Sequence, residues 1–294
     1  MADRATPPEF LVVGHVVQDL PPEDGGATWR YGGAASYASK LAQRLGLRTA
    51  ILTAAAPGLP LEQEFPGIEI ARAPSQRTTL IRNTYTDEGR VQYIPERAAD
   101  IGAGSLPEGW RGAGIVLLGP MVGEIDPALA TCFPEALVGI AAQGWLRDIA
   151  ADGRVRPLPP ASWQGDAFLE TARALFVSDE DLAQVEARRV LDGWARRVEI
   201  VAYTRGSRGA EVCHDGTWRH IDAFPAGALD VTGAGDVFAA AFLVRYRETG
   251  DVWEAARFAA CAASFIVEGT GQENTPDRAT IESRLRAHPG IVAG

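Results

Sequence analysis

The stretch Asp230-Val231-Thr232-Gly233-Ala234-Gly235-Asp236-Val237-Phe238 decides the fold, because a turn nearly without side chains runs straight into an apolar segment. That segment, Ala239-Ala240-Ala241-Phe242-Leu243-Val244-Arg245-Tyr246, predicts a buried helix. Gly233 and Gly235 have no Cβ, so the backbone can turn tightly and an anion can approach its amides. A helix starting here aims its free N–H groups and the positive end of its dipole at that anion. Asp236 falls in the first turn, where the dipole favours the ionised carboxylate. A carboxylate beside an anion hole is what phosphoryl transfer to an alcohol requires. The carboxylate takes the hydroxyl proton, and the amides neutralise charge on the group in transit. A glycine-rich turn with an acidic first-turn residue also serves as a plain helix cap, so the rest of the chain has to decide.

Outward from this stretch, 294 residues with 46% apolar content suffice for one large core. A formal charge of −10 argues against nucleic acid and anionic membrane as partners. Lys40 is the only lysine, so no Gly-x-x-x-x-Gly-Lys phosphate loop exists and a protein-kinase lysine has no candidate. Cys132, Cys213 and Cys261 are odd in number and far apart, which reads as reduced core thiols. His15, His214, His220 and His288 show no zinc-ligand spacing. Met1 to Glu9 lacks an apolar signal core and no run is long enough to span a bilayer, so a cytoplasmic location is expected.

Strand and helix signals alternate along the chain. Phe10 to Val17 predicts a buried strand with Asp19 just past its end, where open α/β sheets bind ligands. Thr28 to Tyr31 reads as a short strand leading into Gly32-Gly33, which open a helix of small residues closed by Gly46. Ala50 to Ala56 is the next strand. Arg77 to Tyr85 and Arg90 to Ile94 form a hairpin on which Arg77, Arg82 and Asn83 face either a ligand or solvent. Further strands end at Gly119, Gln143, Ser178 and Thr204, and a second hairpin turns at Asp215-Gly216. The prolines of Arg154 to Pro160 mark a loop, Asp251 to Glu268 is a long helix with an alanine face, and a last helix covers about 277–287. The alternation predicts a doubly wound, mainly parallel sheet flanked by helices.

The pattern Asp-x-Thr-Gly-Ala-Gly-Asp-x-Phe-x-x-Ala at 230–241 resembles the C-terminal motif of the ribokinase-like (PfkB) carbohydrate kinases. Gly32-Gly33 followed by a helix ending in Leu45-Gly46 resembles that family's N-terminal motif. The resemblance implies one ribokinase-like domain over 1–294, with a small β lid from about 15–32 and 75–97. It implies transfer of a phosphoryl group from ATP to a hydroxyl, with Asp236 as general base and Gly233, Ala234 and Gly235 as anion hole. Asp19, Gly32, Gly33, Tyr37 and Arg82 then hold the acceptor, and Ser178, Thr204, Gly206, Gly209 and Asn274 meet the nucleotide, with 270–274 beside the adenine. Asp181 orders Mg2+ through water, and Asp230 and Thr232 hold a monovalent cation such as K+. The partner is a small polyol or sugar, and such a lid offers a face through which two copies pair.

Two departures matter. Tyr37 stands where the family commonly has Asn, which does not suit furanose acceptors, and Ser178-x-x-Asp181 replaces Asn-x-x-Glu. Gly32-Gly33-Ala34-Ala35-Ser36-Tyr37 is similar to the matching segment of plant myo-inositol kinases, and a phenol can cover the broad apolar face of a cyclohexane polyol. Two other readings stay open. A nucleoside kinase of the same fold needs an aromatic clamp, for which Tyr31, Tyr37 and Tyr85 are candidates. A non-catalytic sensor of metabolite and nucleotide fits the altered 178–181 segment but not Asp236.

Overall fold

The computed structural model describes residues 6–21, 28–86, 89–182 and 184–294. In chain order the strands are β1 (Phe10–Val13), β2 (Val17–Leu20), β3 (Arg30–Gly32), β4 (Thr49–Ala54), β5 (Glu69–Ala73), β6 (Thr79–Thr86), β7 (Gly89–Glu96), β8 (Ile115–Leu118), β9 (Leu137–Ala141), β10 (Arg147–Ile149), β11 (Val155–Pro157), β12 (Ala174–Ser178), β13 (Ile200–Thr204), β14 (Ala210–His214) and β15 (Thr217–Ile221). The helices are α1 (Ala34–Arg44), α2 (Leu61–Glu64), α3 (Asp166–Thr171), α4 (Gln184–Trp194), α5 (Ala234–Thr249), α6 (Val252–Ile266) and α7 (Arg278–Ala287).

Nine strands form the main sheet in the order β15-β14-β13-β12-β9-β8-β1-β4-β5. It is parallel from β13 to β5 and closes at the other edge with the antiparallel β14 and β15. Strands buried on both faces must be apolar throughout, which is how β1 (FLVV) and β8 (IVLL) read. Along β1 the side chains alternate: Phe10 and Val12 join one core layer, Leu11 and Val13 the other. The hairpin turn has Asp215 at φ 49° and Gly216 at φ 73°, the left-handed pair that a tight two-residue turn needs. α5 packs on α1, α6 and the strands β8, β9 and β12, so the predicted alanine helix is the spine of one layer. Asp251 and Asp277 cap α6 and α7 through backbone N–H groups two or three residues on.

A second sheet of four strands, β3-β2-β6-β7, stands apart from the first. Here the sequence reading needs correction. Phe10 to Val17 is not one strand: β1 ends at Val13 and β2 begins at Val17 in the other sheet. The backbone N–H of His15 donates to Glu124 Oε1 at 3.0 Å and that of Val16 to Thr53 Oγ1 at 2.8 Å, so side chains take donors that a continuing ladder would use. Asp19 therefore lies within β2, and not past the end of a main-sheet strand. The 154–160 segment is also more than a loop, because β11 pairs with β10 in register Arg147↔Pro157. The turn at 87–88 lies outside the described residues, as does the side chain of Tyr85. No helix among the described residues is long and apolar enough to cross a membrane.

The contact between α5 and the sheet is tight at Gly139 of β9. A Cβ there would meet Leu243 Cδ1 at 2.6 Å and Phe176 Cε2 at 3.1 Å. Overpacking of this kind costs about 1–3 kcal/mol. Gly139→Ala is expected to lower the urea midpoint with an unchanged m-value, as urea unfolding followed by circular dichroism will check.

Candidate active site

Two helix N-termini meet at the carboxyl end of the main sheet, and glycines let them meet. Gly32 ends β3, and a Cβ on it would fall 2.2 Å from Asp19 Oδ2, so the Asp19 carboxylate rests on the Gly32 backbone. Gly33 caps α1 at φ 84°, and a Cβ there would lie 2.6 Å from the His15 carbonyl oxygen. The Ser36 hydroxyl donates to the Gly32 carbonyl at 2.7 Å and closes the first turn. One turn on, Tyr37 is buried with its ring against Gly233, whose added Cβ would approach Tyr37 Cδ1 to 2.3 Å. Burial, then Asp19, Asp230 and Asp236, push the Tyr37 phenol well above its usual range, while Arg30 opposes them. The phenol thus stays neutral and keeps its O–H as a donor.

Gly233 begins α5 in the left-handed conformation at φ 80°. The first intrahelical bond runs from Val237 N–H to the Gly233 carbonyl at 2.9 Å, so the Gly235 and Asp236 amides lie ahead of the helical ladder. The Ala234 N–H bonds back to Val231 O at 3.3 Å, which tightens the turn. Asp230 Oδ1 accepts from Thr232 N–H at 2.9 Å, and Leu229 N–H donates to Val267 O at 2.7 Å. Asp230 thereby anchors the loop through its own turn and the end of α6. The helix dipole favours an ionised Asp236, and burial works against it. Burial pushes it up to about 7, Asp181 and Asp19 add to this, and Arg147 works against them. A base poised near neutrality is suited to taking a hydroxyl proton.

Farther along the sheet edge lie the residues read as facing a nucleotide. Thr204 ends β13, and its carbonyl accepts from Asp179 N–H at 3.0 Å. Gly206 has open space around it at φ 54°. Gly209 packs closely on the end of β15: a Cβ on it would lie 2.0 Å from Ile221 O. Asp181 is 3% exposed, with Oδ2 accepting from Ser178 N–H at 3.1 Å and Ser178 O–H at 2.6 Å. Its Oδ1 accepts from Gln143 Nε2 at 3.0 Å and meets Arg147 Nη2 at 3.5 Å. Asn274 packs on Gly269, and the described contacts of its loop run to β3: Gln272 Nε2 donates to Tyr31 O at 3.1 Å, and Gly271 faces Arg30. Arg82 sits on β6 opposite Tyr93, Asn83 pairs with Gln92 across the hairpin, and Arg77 is exposed before the strand. Among the described residues no group of three or more His, Cys, Asp or Glu is arranged to hold a metal ion.

Three site residues escaped the sequence reading. Arg147 acts on Asp236 from the start of β10, Arg30 acts on Tyr37 from β3, and Glu124 braces the segment between β1 and β2 through His15. Glu124 is fully buried and accepts from Met121 and Val122 N–H at 2.8 Å each, and from His15 N–H. Burial pushes its carboxyl up, but His15 and these N–H groups outweigh that and hold it below the usual range. One signal was visible: Gln143-Gly144-x-x-Arg147 follows a strand end, as ligand-facing residues of such sheets do.

Residues 146–278 match the pattern of the pfkB family carbohydrate kinases, a span that holds Asp181, Thr204 and Asp236. A nucleoside kinase of Methanothermobacter thermautotrophicus is 40% identical over 92 residues, 31% of this chain and 29% of that one. A cytidine kinase of Thermococcus kodakarensis is 25% identical over 252 residues, 81% of this chain and 88% of that one. In three dimensions the chain is similar to a pyrophosphate-dependent kinase in the ribokinase family complexed with a pyrophosphate analog and myo-inositol. That match has a TM-score of 0.77 at 23% identity over 95% of this chain and 99% of the other, a likeness of fold. Residues 146–278 thus carry a PfkB-family carbohydrate kinase domain, and the chain as a whole has a ribokinase-like fold.

Proposed function

We propose that this chain is a phosphotransferase that moves the γ-phosphate of ATP to a hydroxyl of a small polyol or sugar, with an inositol-like ring favoured. The observation that carries this reading is the convergence of Asp19, seated on Gly32, and Tyr37, seated on the Gly233–Asp236 turn. Asp19 offers two acceptor oxygens to vicinal hydroxyls, and the neutral Tyr37 phenol offers one donor and an apolar ring face. Asp236 takes the acceptor proton as the acceptor oxygen forms its bond to phosphorus. The bridging O–P bond of the donor breaks, its electron pair leaves with ADP, and the proton on Asp236 passes to solvent. The orphan amides of Gly235 and Asp236 meet charge on the phosphoryl oxygens. The β3-β2-β6-β7 sheet is the lid over this acceptor.

Thr204 and the α5 N-terminus fit a phosphate chain along the sheet edge. Asp181 does not suit magnesium, since its oxygens are already occupied by Ser178, Gln143 and Arg147. Asp230 likewise spends one oxygen on Thr232, so no step is routed through a metal ion here.

A nucleoside acceptor is the second reading. Trp29 and Tyr31 form an edge-to-face pair with centroids 4.8 Å apart on the lid strand, and Trp29 is 37% exposed. Such a pair can clamp a base. The relatives that act on nucleosides support it as well. The basicity of Asp236 speaks against a non-catalytic sensor. ATP consumption measured with polyols, sugars and nucleosides separates the acceptors, and no turnover with any of them would sink the phosphotransferase reading.

Asp19→Ala is expected to raise the acceptor KM strongly and leave ATP affinity almost unchanged, since the loss is confined to one pair of hydroxyl contacts. Steady-state kinetics with calorimetry of ATP binding will check this.

Asp236→Asn is expected to lower kcat by about 10²–10⁴-fold, the usual worth of a positioned base. The parent's kcat/KM should fall below a pH of about 7, where the free base becomes protonated. Stability should move the other way. A carboxyl raised from 3.8 to about 7 on folding binds more protons in the native state, so native stability falls as pH rises between those values. Asp236→Asn escapes that loss. It should melt higher than the parent at pH 8, with the difference vanishing near pH 4, as thermal scans at both pH values will show.

A further inference from the structure

Arg147 begins β10 with its side chain only 12% exposed, in a site otherwise dominated by carboxylates. Its backbone is fixed from two sides. Pairing with Pro157 ties it to β11, and the Leu146 carbonyl accepts from Leu158 N–H at 2.8 Å. The preceding turn is equally set, because a Cβ on Gly144 would lie 2.1 Å from the Pro120 carbonyl oxygen. Asp181 meets the guanidinium at 3.5 Å, and is itself held by Gln143, the Ser178 hydroxyl and the Ser178 N–H. The charge of Arg147 reaches Asp236, the other carboxylate of the reaction centre. Besides pairing with Asp181, a cation fixed at this edge is suited to meet charge that develops on a phosphoryl group. Phosphoryl transfer spreads negative charge over three oxygens, and a planar guanidinium matches two of them at once. The only lysine of the chain, Lys40, lies on α1 and leaves this task to an arginine.

We propose that Arg147 is a further catalytic residue, contacting the phosphoryl group in transit beside Asp236, and that Asp181 is its positioning residue and not a magnesium ligand. The proposal rests on the phosphotransferase reading. The acceptor proton still goes to Asp236 and the bridging electron pair still leaves with ADP; Arg147 exchanges no proton and supplies only charge and two N–H donors.

Three variants test it: Arg147→Gln, Arg147→Lys and Asp181→Asn. Arg147→Gln should bind ADP as the parent does and lower kcat by about 10²–10³-fold, the loss seen when one preorganised donor is removed. Its binding of ADP with magnesium and aluminium fluoride, a mimic of the planar group in transit, should weaken in step with kcat. Arg147→Lys should recover part of the rate, because it keeps the charge and loses the fork. Asp181→Asn should lower kcat with an unchanged magnesium activation constant. An Arg147→Gln variant as active as the parent would overturn the proposal, as would a loss of ADP affinity that accounts for the whole effect. A higher magnesium requirement in Asp181→Asn would overturn the role of Asp181. Should Arg147→Gln melt early, Arg147→Lys carries the test alone: parental rate and parental aluminium fluoride binding would then count against a fork-shaped contact. A parent that transfers nothing sinks the phosphotransferase reading itself, whereas an active parent with an indifferent Arg147 sinks only this role.

Discussion

Everything at the sheet's carboxyl edge depends on side chains lying where another residue's Cβ would have to be. Asp19 rests on Gly32 and Tyr37 on Gly233, each within a distance that no Cβ tolerates. Close approach of this kind brings the N-termini of α1 and α5 into one site, with an aromatic ring as the spacer between them. The geometry is set by exclusion. Neither helix can shift toward the other, because the ring already fills the gap at near-crystalline packing density. The Asp19 side and the α5 turn are thus two sides of a single packed contact.

The electrostatics follow from the same crowding. Asp181, Asp230 and Asp236 lie near Asp19 at this edge, and their surroundings differ. Asp181 and Asp230 are quieted by N–H and O–H donors. Asp236 is left with burial and like charge, which is why its affinity for protons rises. Glu124, on the floor, takes the opposite course, since backbone donors surround it. Whether an acid in this protein is reactive or inert is decided by how many donors point at it.

Much of this was legible in the sequence. Gly233 to Asp236 announced the α5 turn, and Gly32-Gly33 announced α1, because glycine pairs before small-residue helices leave a local mark. The parallel sheet was legible from its apolar runs. Asp19 was picked out but wrongly placed, since the break between β1 and β2 is made by Glu124 and Thr53, residues 109 and 37 positions away from their partners. For Asp236 the helix dipole can be read from sequence, but burial and the approach of Asp181 and Asp19 cannot. Arg147 and Arg30 were hidden among 27 arginines of similar surroundings, and only tertiary pairing singles them out.

The buried node around His15 and Glu124 has a mechanical meaning. His15 Nε2 donates to Ala99 O at 2.9 Å, its Nδ1 shares a hydrogen bond with the Thr79 hydroxyl at 2.8 Å, and that hydroxyl accepts from Ala98 N–H at 2.9 Å. Both roots of the small sheet, at Val17 and Thr79, are clamped here beside the Glu124 carboxylate. Opening at the roots would strand polar groups in apolar surroundings, at the cost that unpaired buried donors and acceptors carry. The small sheet is therefore built like a leaf spring clamped at its base, not like a door on a hinge.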